Sequence, residues 1–195
     1  MLNQLKTTIR AASTPIAKAI PLSPNALTLI GLIISVVSAA AFACGELIMG
    51  GVLILVSGVF DILDGAVARA NGRMTSFGGF LDSVCDRYAD AVVFIGIMYG
   101  ALAGNIPTTA LFGISLWLWC VIALVGSLLV SYTRARAEGA GVENMDVGIA
   151  ERPERMILLA VGAFSGLIAW AIVVIVILTH ITIIQRILYA KKHLG

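Results

Sequence analysis

Residues 47–70 read LIMGGVLILVSGVFDILDGAVARA. From Leu47 to Val59 the run is apolar and free of charge; helical spacing then continues through Asp61 and Asp64 toward Ala70, with Arg69 near its end. A membrane-spanning helix that carries two carboxylates at one end is the reading that accommodates both halves. The surroundings agree. The chain has 195 residues, 59% hydrophobic and 12% charged, with a mean hydropathy of +1.01. A soluble domain is about 45–50% apolar and about 25% charged, so a water-exposed globule is excluded. The net charge of +2 is too small to imply a nucleic-acid partner.

Working outward, a span is expected from about Pro24 to Cys44, and the turn Asn71-Gly72-Arg73 leads to a third from near Gly78 to near Leu102. A fourth runs from Pro107 to Tyr132, followed by a polar segment from Arg134 to Arg155. Met156 to Gln185 is expected to turn near Phe164-Ser165-Gly166 and cross twice, with Arg152 and Arg155 at one end of the fifth span. Before Pro21, residues Leu2, Leu5, Ile9, Ala12 and Ile16 recur at helical spacing among Lys6, Arg10 and Lys18, as in an interfacial helix. No signal-peptide pattern is found there, so no cleavage is expected. The expected architecture is an all-α integral membrane protein, an amphipathic interfacial helix over 1–20 and six transmembrane helices over 21–190, forming one domain across 1–195. Lysines and arginines are absent from the 1–2, 3–4 and 5–6 connections. By the positive-inside rule both termini are then cytoplasmic, in a multi-pass protein of the cell membrane. Trp170 suits an interfacial anchor, whereas Trp117 and Trp119 are expected deep, as packing residues. Cys44, Cys85 and Cys120 read as small core hydrophobes.

The chemistry is concentrated in Asp61, Asp64, Asp82, Asp86 and Asp90. An ionisable group at membrane depth costs at least about 2.5–3.5 kcal/mol, so five together mark function. Spacings of three and four put Asp61 with Asp64, and Asp82 with Asp86, on single helix faces. Four convergent carboxylates repel one another unless divalent cations lie between them, and hard oxygen ligands without cysteine or histidine select Mg2+ or Mn2+, plausibly two ions. Gly65 and Gly78 clear side chains beside the carboxylates, and Arg69 supplies a fixed cation for a phosphate oxygen. Arg87 is expected to reach the interface, and Asp90 to act either behind the signature carboxylates or paired to a polar neighbour.

Asp61-xx-Asp64-Gly65-xx-Ala68-Arg69, eight residues, then Gly78-xxx-Asp82-xxx-Asp86 reproduces every position of the signature of the CDP-alcohol phosphotransferases. The chain resembles that family, whose six-span topology agrees with the count above. The resemblance implies metal ligation by Asp61, Asp64 and Asp82, with Asp86 as general base sharing in metal binding. It also implies that Gly65, Arg69 and Thr75 hold the CDP part of a CDP-lipid, together with Asn25 and Thr28 of the segment Pro24-Asn25-Ala26-Leu27-Thr28. The segments Arg134–Gly139 and Gly148–Arg155 are similar to the branch that makes phosphatidylinositol phosphate and archaetidylinositol phosphate. An acceptor bearing its own phosphate needs fixed cations, and Arg134, Arg152 and Arg155 gather where it would enter.

The implied reaction moves a phosphatidyl or archaetidyl group from CDP-diacylglycerol or CDP-archaeol to inositol phosphate; glycerol 3-phosphate or another polar alcohol is the alternative acceptor. Family members resemble homodimers, and the GxxxG spacings of Gly96, Gly100 and Gly104 permit close helix contact. A cation or proton transporter could also bear intramembrane aspartates, but transporters of that type show internal repeats and broken midplane helices. Here the acids gather on one side, without a second copy.

Overall fold

The structure, a computed structural model, describes residues 19–107, 110–143 and 145–194. The interfacial helix expected over 1–20 falls, apart from its last two residues, outside the described residues. Among the described residues six helices follow one another: α1 (Pro24–Ala43), α2 (Leu47–Ala70), α3 (Ser76–Leu102), α4 (Leu116–Glu138), α5 (Arg152–Phe164) and α6 (Ile168–Leu194). α1 starts where Ser23 accepts a hydrogen bond from the Ala26 N–H and Pro24 supplies a preset φ. α3 starts where Thr75 accepts from the Gly78 N–H at 3.0 Å.

Packing closes the helices into a ring: α1 lies on α2 and α3, α3 on α4, α4 on α6, α6 on α5, and α5 on α2. Chain neighbours run antiparallel, so the signature end of the bundle collects the start of α1, end of α2, start of α3, end of α4, start of α5 and end of α6. The main apolar core fills the opposite end, where Phe42, Ile97, Leu116, Cys120, Ile172 and Ile175 are fully buried. The outer surface is apolar as well, with Ile33, Ile48, Val59, Ile177 and Ile184 exposed, as a lipid-facing surface requires.

α1, α2, α4 and α6 are long and apolar enough to cross a membrane. α3 has the length but carries Asp82, Asp86, Arg87 and Asp90. α5 has 13 residues, about 20 Å at 1.5 Å per residue, against a hydrocarbon core of about 30 Å. The segment before α5 is not helical but is strapped to α6: Thr182 Oγ1 accepts from the Ile149 and Ala150 N–H groups, and Arg186 donates to Val147 O at 2.7 Å. Backbone bonded in this way can be buried without being helical.

Three expectations need correction. Cys44, expected in the core, is exposed past the end of α1, whereas Cys85 and Cys120 are buried. The fourth helix begins at Leu116 rather than Pro107, because Leu111 to Ile114 folds into a tight turn with Phe112 and Gly113 both at positive φ. Trp117 and Trp119 therefore sit in the first turn of α4 instead of deep in a span; Trp119 does pack against the main core, as expected, and its Nε1 donates to Leu111 O at 3.2 Å, whereas Trp117 is 40% exposed. Trp170 is half-exposed and meets Phe112 edge-on, 6.0 Å between ring centroids.

Gly96 and Gly100 are used within the chain. A Cβ on Gly96 would lie 2.3 Å from Ala39 O, and one on Gly100 2.5 Å from Phe42 O, so both glycines admit the backbone of α1. Three serines tie α1 to α2 on the other side: Ser57 donates to Gly31 O and shares a hydrogen bond with Ser35, while Ser38 donates to Gly50 O. Gly96→Ala should destabilise the bundle by about 1–3 kcal/mol through overpacking against backbone that cannot turn aside. Melting in detergent checks this against Gly79→Ala, whose added Cβ meets nothing within 4 Å; equal melting temperatures would contradict the tight α1–α3 contact.

Candidate active site

Because α1 and α2 are fixed in register by their serines, Thr28 faces Asp64 one helix across, and its hydroxyl donates to Asp64 Oδ2 at 2.5 Å. Asp61 lies nearly one turn earlier on α2, and Asp82 faces both from α3. One carboxylate oxygen from each of Asp61, Asp64 and Asp82 lies within 4.8 Å of the others. Asp64 is buried, and Asp82 has a buried Oδ1 without a hydrogen-bond partner among the described residues. An unpartnered carboxylate oxygen in an all-oxygen cluster is what a hard cation would satisfy. Asp86, the fourth expected ligand, stands slightly apart: its carboxylate lies 2.5 Å from Arg152 Nη1 and 3.3 Å from Arg87 Nη1.

On one side of the carboxylates is a cavity of about 290 Å³ lined by Asn25, Thr28, Gly65, Arg69, Thr75 and Gly78, with Asp64 and Asp82 in its wall. Every residue expected on the nucleotide side thus meets in one space. Its glycines make room for neighbours: a Cβ on Gly65 would lie 3.1 Å from Arg69 Nη1, so the guanidinium folds back over the bare backbone. A Cβ on Gly78 would press on Thr75 Oγ1 and Asn25 Oδ1.

On the other side is a second cavity, of about 180 Å³, lined by Arg134, Arg152, Arg155 and Arg186 together with Asp61, Asp86, Asp90 and Glu151. All three expected acceptor arginines are present, each already engaged. Arg134 lies 2.9 Å from Glu138, 3.2 Å from Asp146 and 3.7 Å from Glu151. Arg152 Nη1 bridges Asp61 at 2.8 Å and Asp86 at 2.5 Å. Arg155, 3% exposed, donates to Ala150 O at 2.7 Å and to Asp90.

The sequence reading left Arg186 and Glu151 without a role. Arg186 is 2% exposed, donates to the carbonyls of Val130 and Val147, and lies 3.6 Å from Glu151. Its signal was available in a lone arginine after the apolar run of α6, since a charge there seldom faces lipid. Glu151 sits in a quoted segment, but only the fold brings it between Arg134 and Arg186.

A model of the CDP-alcohol phosphatidyltransferase family matches residues 21–191. The archaetidylinositol phosphate synthase of Methanothermobacter thermautotrophicus is 42% identical, over 100% of this chain and 96% of that protein. The crystal structure of Mycobacterium tuberculosis phosphatidylinositol phosphate synthase with CDP-DAG bound superposes with a TM-score of 0.77 at 33% identity, covering 91% of this chain and 92% of that one. The same enzyme in complex with manganese and citrate gives a TM-score of 0.78 at 32% identity, covering 91% of this chain and 88% of that one.

Proposed function

Because the chain belongs to the CDP-alcohol phosphatidyltransferase family, we propose that it transfers the phosphatidyl or archaetidyl group of a CDP-lipid to inositol phosphate and releases CMP. The observation that carries this reading is the pair of cavities on opposite sides of one carboxylate cluster, one lined by the nucleotide-side residues and the other by five arginines, Arg87, Arg134, Arg152, Arg155 and Arg186. The names of the relatives support the same acceptor.

In this reading Asn25, Thr28, Gly65, Arg69 and Thr75 hold the CDP end of the donor, Arg69 as the cation for a phosphate oxygen. Arg134, Arg152 and Arg155 receive the phosphate of the acceptor. Asp86 belongs to the wall of the acceptor cavity, where a base must stand to reach the attacking hydroxyl. It takes the proton from that hydroxyl. The freed oxygen attacks the phosphorus nearest the lipid, and the bond from that phosphorus to the CMP oxygen breaks. Asp61, Asp64 and Asp82, with Asp86, fit divalent cations, Mg2+ or Mn2+ and two in number. Such ions supply charge neutralisation at the pyrophosphate. We further place the six crossings of 21–190 in the cell membrane, within one domain over 1–195, and the basic end of the bundle and both termini at the cytoplasmic face.

Purified protein given CDP-lipid and magnesium should release CMP with inositol phosphate, and not with serine or free inositol. Faster release with glycerol 3-phosphate would move the protein to another branch of its family. Crystals grown with manganese should show anomalous peaks among Asp61, Asp64, Asp82 and Asp86. Peaks elsewhere, or full turnover in the presence of a chelator, would refute the metal assignment.

A further inference from the structure

Asp90, one turn beyond the signature, has a side chain 11% exposed and lies between Arg152 and Arg155. Its Oδ2 accepts from Arg155 Nη2 and its Oδ1 lies 3.6 Å from Arg152 Nε. The other end of the Arg155 guanidinium is held by Ala150 O at 2.7 Å, which leaves buried Nε as its nitrogen without a partner. Arg155 therefore has two of its five N–H donors committed to the protein and lies in the wall of the arginine-lined cavity. Arg152 reaches the signature carboxylates through Nη1 and Asp90 through Nε. A single carboxylate thus braces both guanidinium groups from behind, on the rigid α3 helix that also carries Asp82 and Asp86.

We infer that Asp90 is a positioning residue for the acceptor: from the wall of the acceptor cavity its carboxylate aims Arg155 and Arg152 at the acceptor's phosphate. The inference rests on the acceptor-cavity reading above. A long arginine side chain has many rotamers; the charge-assisted bond from Asp90 to Arg155 and the ion pair with Arg152 select one for each before substrate arrives. Neutralising Asp90 would loosen that geometry on the acceptor side and leave the donor cavity, which Asp90 does not line, as it was.

Asp90→Asn should raise the acceptor KM about 10-fold, the equivalent of one lost charge-assisted contact, with the CDP-lipid KM unchanged. Asp90→Glu, which keeps the charge, should fall between wild type and Asp90→Asn. Inositol phosphate affinity measured by calorimetry without CDP-lipid should follow the same order. If Asp90 acts through Arg155, the double variant Asp90→Asn/Arg155→Ala should bind acceptor no worse than Arg155→Ala alone. Fully multiplying effects, or an acceptor KM at the wild-type value in the Asp90 variants while Arg155→Ala raises it, would overturn the role of Asp90. A wild-type acceptor KM in Arg155→Ala itself would instead refute the acceptor-cavity reading. Where Asp90→Asn does not fold, Asp90→Glu decides: a raised acceptor KM with unchanged donor KM supports the inference, and an unchanged one overturns it.

Discussion

Asp86→Asn is expected to lower turnover by about 10²–10⁴-fold, the usual contribution of a positioned general base, and to leave CDP-lipid binding close to wild type. The amide keeps the size of the side chain but cannot take a proton at neutral pH. The structure sharpens this expectation: Asp61, Asp64 and Asp82 form the close cluster, whereas Asp86 leans toward Arg152 and lines the cavity opposite the nucleotide side. Equivalent substitutions at Asp64 or Asp82, which line the donor cavity, should weaken donor binding as well as turnover. The check is CMP release alongside equilibrium binding of labelled CDP-lipid. Turnover retained in a folded Asp86→Asn protein would assign the proton to another group.

The second large effect is a reciprocal one between Arg155 and Arg69. A charge-assisted hydrogen bond is worth about 1.5–3 kcal/mol, and 1.4 kcal/mol is one decade. Arg155→Ala should therefore raise the acceptor KM by roughly 10-fold or more with little change for CDP-lipid, and Arg69→Ala should do the reverse. The two side chains line different cavities, which is why their effects should separate. Arg152→Ala should show both a raised acceptor KM and a lowered turnover, because its guanidinium also contacts Asp61 and Asp86. If Arg152 and Arg155 merely anchor the start of α5, both alanine variants would melt at lower temperature with wild-type acceptor constants.

The residues of the donor side came from the resemblance to the family, while composition and spacing alone determined that this is a helical membrane protein and where its carboxylates lie. These properties are local: apolar run length decides what enters a bilayer, and 3.6-residue periodicity decides that Asp61 and Asp64, or Asp82 and Asp86, share a face. The turns at Asn71 and Ser165 were legible for the same reason, as breaks in an apolar pattern. The start of α4 was not, because Pro107 to Ser115 is apolar enough to read as span and only its folded turn, with Phe112 at positive φ, keeps it out of the helix. Nor did the glycine spacing on α3 say whether α1 or a second molecule would fill it; the approach of Ala39 O and Phe42 O decides for α1. The partners of each charge were likewise beyond sequence. Asp90 with Arg155, Glu151 with Arg186, and Arg152 between Asp61 and Asp86 are pairings across helices. Such pairs depend on which faces the closed ring turns toward one another, a property of the assembled bundle and not of any one helix.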